Sequence, residues 1–156
     1  MTQIDLARLT DISPATLTAH MQDPFLAVHM PLLRGVDWTE ATTEQWVAAK
    51  EAAWARDGLG HWAFLADGRY VGWGGFEREG DDWDFGLVLT RDAVGLGTKI
   101  AAAALAFARQ DPRMTSVTFL LPPTRRHFGA LTRMGAYRDG AVEVAGETFL
   151  RFRLDL

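Results

Sequence analysis

The sequence predicts an α/β chain with a mainly antiparallel sheet and one central β-α-β crossover. Three observations lead there. The runs "HWAFLA", "RYVGWGGF" and "WDFGLVL" follow one another through the turn signals Asp67-Gly68 and "EREGDD", which makes a strand meander. The last run enters a glycine turn and an alanine-rich helix, "RDAVGLGTKIAAAALAFARQ", and the short apolar strand "MTSVTFLL" comes next, so the chain crosses over. The first third instead carries helix-start signals and one long amphipathic helix.

In chain order, Ile4 to Leu9 alternate weakly and predict a first strand. Asp11 or Ser13 before Pro14 starts a helix to about Met21, and Asp23-Pro24 repeats the signal for a shorter helix through "FLAVHM". A loop is expected around Pro31 to Thr39. "TTEQWVAAKEAAWARDG" is the clearest amphipathic helix: Trp46, Ala49, Lys50, Ala53 and Trp54 share a stripe, and Gly58 ends it. After the meander, a helix from about Gly95 to Arg109 is expected to bury Leu96, Ile100, Ala103 and Phe107. Pro122-Pro123 break the crossover strand, and "TRRHFGALTRM" predicts a second helix closed by Gly135. "AYRDGAVEVAG" and "ETFLRFRLDL" finish as two strands, with Leu150, Phe152 and Leu154 on one face. A single domain over residues 1–156 is expected, without repeat or linker.

The bulk numbers exclude several functions. A net charge of −4 argues against a dedicated nucleic-acid binder. No apolar run approaches the roughly 18–20 residues that span a membrane, and "MTQIDLARLTD" lacks a signal-peptide pattern, so a cytoplasmic location is expected. The absence of cysteine excludes disulfides and a cysteine nucleophile. Four histidines, none paired at ligand spacing, give no reason to expect a metal site.

The glycine turn has a physical use. A helix start carries unpaired N–H donors and the positive end of the dipole, and glycine lets an anion approach the backbone. Gly95, Gly97 and Thr98 would supply that contact; the alternative is a turn glycine and a packing glycine with no ligand. Two nucleotide cradles fail on residues. A dinucleotide fingerprint needs glycine where Ile100 stands, and a P-loop needs Gly-Lys-Thr or Gly-Lys-Ser where the order here is Gly-Thr-Lys.

The meander, the loop and helix after its last strand, the strand "VTFLL" and the helix end "RMGAY" together resemble the GNAT family of acyl-CoA-dependent N-acyltransferases. The resemblance covers nearly the whole chain. "LTDISPATLTAHMQDPFLAVHMP" looks like the opening of the branch that acetylates ribosomal-protein N-termini and small amines. It implies a six- to seven-stranded sheet flanked by helices, with a splayed strand pair at the crossover. It also implies acetyl-CoA or another acyl-CoA as co-substrate, and a primary amine as acceptor, on a small molecule or a protein N-terminus. The family often pairs through its C-terminal strands, so a homodimer is left open, though nothing in this sequence requires one. The family's pyrophosphate loop is matched by "DAVGLG", assigning Ala93, Val94, Gly95, Leu96, Gly97 and Thr98 to the cofactor; Asp92 stands where the family has Gln or Arg, and Arg91 is a conjectured substitute. Counting back from Gly135, Thr124 takes the place of the family's Asn and His127 that of its Ser or Ala, while Leu131 falls where many relatives carry a tyrosine acid.

The implied chemistry is attack of an amine on a thioester, with an oxyanion developing and a thiolate leaving. The amine must lose a proton, while the thiolate needs modest help. Gly86 suggests a bulge or a close backbone approach, beside which Leu87 and Leu89 would line the thioester end. Candidate bases are strand-end carboxylates, Glu77, Asp84 and Glu143 with Asp82 and Asp139, against the alternative of solvated turns. His127 would protonate the leaving thiolate from the inward side of the second helix, unless it is a packed or solvent-facing histidine. Arg125 and Arg126, expected at that helix's start, would meet the 3′-phosphate or else be exposed arginines. Trp38 and Tyr137 fall where the family's acceptor groove runs. The rival readings are a non-catalytic acyl-CoA-binding sensor or subunit, and an unrelated interaction domain.

Overall fold

A computed structural model describes the backbone of residues 1–156 and every side chain except those of His29 and Pro31. Seven strands form one sheet: β1 (Ile4–Ala7), β2 (His61–Ala66), β3 (Arg69–Glu79), β4 (Asp82–Leu89), β5 (Ser116–Leu121), β6 (Tyr137–Val144) and β7 (Glu147–Asp155). Five helices flank it: α1 (Pro14–Met21), α2 (Pro24–His29), α3 (Glu40–Asp57), α4 (Gly97–Gln110) and α5 (Gly129–Arg133). The sheet order is β1-β2-β3-β4-β5-β7-β6, and β4–β5 is its one parallel neighbour pair. This is the mixed, mainly antiparallel sheet expected.

Local chemistry sets the helix starts. Ser13 and Asp23 cap α1 and α2 by accepting from Thr16 N–H and Phe25 N–H, with proline following each cap. Thr39 caps α3, which starts at Glu40, two residues before "TTEQ", and Gly58 ends it with φ +73 and an N–H bond to Trp54 O at 2.8 Å. Asp67-Gly68, with φ of +50 and +80, turns β2 into β3.

Two layers of side chains sandwich the sheet. On one face α4 packs Ile100, Ala101, Ala104, Leu105 and Ala108 against Phe64, Phe76, Phe85, Val117, Phe119 and Phe152. Its buried stripe is therefore turned from the predicted one: Phe107 is on the exposed edge of α4, its ring 5.0 Å from Trp62. A 3-10 turn over Arg91–Leu96 comes first, and α4 begins at Gly97 rather than Gly95. On the other face α1, α2 and α3 cover Ala63, Trp73 and Val88 with Leu17, Met21, Leu26, Trp46 and Val47.

Two more expectations are corrected. The first strand stops at Ala7, and Leu9–Asp11 form a 3-10 turn that buries Leu9 completely. The second helix of the crossover half is one turn and a half, Gly129–Arg133, rather than a helix from Thr124. The reason is packing: Phe128 stacks on Phe152 at 5.0 Å, and Arg125 N–H is already turned back to Pro122 O at 3.0 Å. Those two contacts hold 122–128 as a loop.

Candidate active site

β4 and β5 register at one position only, Asp84 opposite Thr118. Beyond it the two strands part. In a ladder every second N–H of β4 would point at β5, and past Asp84 no ladder takes them. Gly86 sits in that stretch. Its register with β3 is unbroken, so the expected bulge is absent and the close approach is what the glycines serve. A Cβ on Gly74 would stand 2.1 Å from Gly86 O.

The glycine turn lies over the end of the split. Leu87 and Leu89 are half-buried, and their terminal carbons are 3.9 and 3.6 Å from the point a Cβ on Gly97 would occupy. Ala93 is buried and its N–H is taken by Thr90 O at 3.0 Å, so it anchors the turn from inside. Val94, Gly95 and Thr98 are exposed, and nothing lies within 4 Å of a Cβ placed on Gly95. The first turn of α4 has no acidic residue to compensate its dipole. Asp92 turns away from this opening: its carboxylate accepts from Thr90 Oγ1 at 2.7 Å and Arg69 Nη1 at 2.8 Å, and those bonds hold its pKa below the usual range. Arg91 is no substitute for the family's Gln or Arg, because its guanidinium is paired with Asp23, the cap of α2. Thr124, Arg125, Arg126 and His127 are all exposed in the loop before α5; Arg125 Nε donates to the His127 carbonyl at 3.1 Å. The helix-start setting expected for the two arginines, and the inward helix face expected for His127, are therefore both replaced by loop.

On the opposite face of the sheet the register joins two of the predicted carboxylates. Glu77 of β3 is directly across from Asp84 of β4. Glu77 Oε1 accepts from Lys50 Nζ at 2.8 Å, a bond reaching down from α3, and Lys50 also lies 5.2 Å from the centre of the Trp73 ring. Among the described residues Asp84 has no cation partner. Thr118 Oγ1 donates to it at 3.1 Å, but burial dominates and pushes its carboxyl up to about 7, with Glu79 and Glu77 nearby adding to the effect. A carboxyl that titrates near neutrality at the mouth of the strand split is suited to moving a proton.

Beside them stands a residue that composition did not single out. His61, the first residue of β2, is buried, and its Nδ1 faces Glu77 Oε1 at 3.4 Å without hydrogen-bond alignment. Burial, and then the charge of Lys50, push its pKa well down, so the ring is neutral. A buried ring nitrogen without a partner costs about 1–3 kcal/mol. The signal that could have found it is its place opposite a glycine pair, which depends on strand register and so is invisible in sequence.

The other candidates lie elsewhere. Glu143 is exposed near the β6–β7 turn, paired across from Thr148. Asp82 and Asp139 are bound to Arg153, through Nη1 at 2.9 Å and Nε at 2.8 Å, and serve as a strut between β4, β6 and β7. Trp38 lines a groove with Met21, Leu26, Leu33 and Val36, edge-on to Trp46 at 6.0 Å. Tyr137 is exposed on β6 and donates to Asp155 at 3.2 Å. Among the described residues, no group of three or more His, Asp or Glu could hold a metal ion, and no helix is long and apolar enough to cross a membrane.

The sheet is thus mainly antiparallel with one parallel neighbour pair that meets at a single registered position, a glycine turn over the end of that pair and a half-buried acid at its mouth. The GNAT acetyltransferase domain model matches residues 4–135, and the chain belongs to that family, the GNAT-type N-acetyltransferases. No curated protein matches the sequence. The solved structures it is similar to include an acetyltransferase from Agrobacterium tumefaciens str. C58, at 16% identity and TM-score 0.76 over 98% of this chain and 91% of that one. Aminoglycoside acetyltransferase AAC(6')-Ib in complex with coenzyme A is similar at 18% identity and TM-score 0.75, over 99% and 95%. The ribosomal L7/L12 alpha-N-protein acetyltransferase RimL in complex with coenzyme A is similar at 11% identity and TM-score 0.76, over 98% and 94%. At these identities the likeness is one of fold.

Proposed function

We propose that the protein transfers an acetyl group from acetyl-CoA directly to a primary amine, with Asp84 as the general base. The observation that carries this is the Asp84 carboxyl, desolvated at the one registered position between β4 and β5, held by Thr118 Oγ1 and titrating at about 7. The bound acetyl-CoA supplies an acyl group already activated as a thioester. The chain fits it: the exposed turn Val94-Gly95 with Thr98 offers backbone N–H groups and a hydroxyl to a pyrophosphate, and Leu87 and Leu89 line the split for an apolar arm. The N–H groups of β4 past Asp84, which no β5 register pairs, would meet the negative charge that develops on the acyl oxygen. Asp84, ionised above about pH 7, takes the proton of the incoming ammonium while Thr118 holds its Oδ1. Glu77 is committed to Lys50 and shapes the field of the site rather than moving protons. The acceptor is a cationic amine, on a small molecule or a protein N-terminus, drawn by the Asp84 carboxylate, which no cation compensates among the described residues.

The test is thiol release from acetyl-CoA over a panel of amines, with calorimetry of CoA binding alongside. Turnover on at least one amine, with a rate that rises as pH passes about 7 and loses that limb in Asp84→Asn, is the expected result. Tight CoA binding without turnover on any amine would make the protein a sensor instead.

A further inference from the structure

We propose that His61 is a further catalytic residue of this site: its Nε2 accepts a hydrogen bond from the acceptor amine and turns the amine's lone pair toward the acyl carbon. The proposal rests on the acyltransferase reading above.

Strand register carries the argument. His61 of β2 is opposite Gly75 of β3, and Gly75 is opposite Gly86 of β4. The three residues form a row across the sheet in which two have no side chain. The imidazole lies along that row, with Cε1 and Nε2 each 3.6 Å from the point a Cβ on Gly86 would occupy. The Trp73 ring flanks it at 5.5 Å between centres. A residue of β2 thus reaches the backbone of β4 where the strand leaves β5.

The two ring nitrogens have different surroundings. Nδ1 faces the Glu77 carboxylate, which can only accept, so the ring hydrogen belongs on Nδ1. The lone pair is then on Nε2, against Gly86. Because burial keeps the ring neutral, His61 is not the proton acceptor; that task stays with Asp84. Asp84 and Gly86 point to the same side of β4, two residues and so about 7 Å apart. A nitrogen that bonds to an acceptor on each side spans about 6 Å. An amine nitrogen therefore fits between the Asp84 carboxylate and the His61 lone pair.

The bookkeeping of the step closes without any change at His61. The ammonium gives one proton to Asp84, and the freed electron pair forms the bond to the acyl carbon. The carbon–sulfur bond breaks to a thiolate, and the nitrogen's second proton balances it. His61 holds one N–H in place throughout.

Two variants separate the nitrogens. His61→Asn keeps an amide near Nδ1 and loses Nε2, whereas His61→Gln can put its Oε1 near the Nε2 position. On the amine that the wild type uses best, His61→Asn should lower kcat about 30-fold, with CoA affinity and melting temperature close to wild type. His61→Gln should recover most of that loss. Wild-type kcat in folded His61→Asn, or equal losses in both variants, would overturn the role of His61 while wild-type turnover leaves the acyltransferase reading standing. A wild-type protein that releases no thiol with any amine would overturn both.

Discussion

The two faces of the sheet are built from different chemistry. The α4 face is dry: aromatic rings and alanines pack there, with Phe64 and Phe76 fully buried. The five polar residues buried among the described side chains, Thr18, His20, Thr43, His61 and Thr118, all belong to the α1–α3 side or the strand face beneath it. So does Tyr70, whose hydroxyl meets His20 Nδ1 at 2.6 Å and whose pKa burial raises. Among the described residues the α4 face leaves one buried side-chain polar atom without a partner, Trp83 Nε1, while the other face leaves three, on His20, His61 and Trp73. The difference teaches where this fold spends stability: a neutral imidazole without a partner at Nδ1 and a carboxyl raised to about 7 both carry a desolvation cost.

The sharpest way to break that comparison is on the polar face. Asp84→Asn should lower kcat by roughly 10²–10⁴-fold, the range for loss of a general base, with CoA binding by calorimetry unchanged. Wild-type turnover in this variant would remove Asp84 from the mechanism. The next largest effect concerns the split: Gly97→Trp would drive an indole into Leu87 and Leu89, and CoA affinity should fall below detection. Full affinity would sink the assignment of the turn.

On the dry face, Phe76→Ala should cost about 3–5 kcal/mol by denaturant melts, equally at pH 5 and pH 8. The polar face should behave in the opposite way. The folded pKa of Asp84 is raised, so the folded state holds a proton that the unfolded state has lost between about pH 4 and 7, and stability falls as pH rises through that window. Asp84→Asn removes the burden: its melting temperature should exceed wild type at pH 8 and match it at pH 4. A variant with the same pH slope as wild type would show that the carboxyl is not buried as described. The smallest effect is expected at His127, where alanine should leave kcat within about twofold, since the side chain is exposed in a loop. A tenfold loss would restore it as the acid.

Local signals account for what was legible. Ser13-Pro14, Asp23-Pro24, Gly58 and Asp67-Gly68 act within a few residues, and each did so in the structure. The segment Thr124–His127 departs from the predicted helix for the converse reason: Phe128 beside it stacks on Phe152, 24 positions away in sequence. The α4 stripe is rotated from the one its spacing predicts, because Ala101, Ala104 and Ala108 face the sheet's phenylalanine rings, a packing that periodicity alone does not report. Within the site, Glu77 and Asp84 were visible as acids, yet so were Glu143, Asp82 and Asp139, and only burial and partners separate them.

By itself, then, the sequence determined the meander, the crossover, the glycine turn at the start of α4 and the family they belong to. Those follow from turn residues and apolar spacing, which act locally. Tertiary structure alone decided which acid is desolvated, that Asp92 and Arg91 face away from the turn, and that His61 lies across two glycines to reach β4. Each of these depends on strand register and on what packs above the sheet, and a charge or a lone pair takes its chemistry from those neighbours.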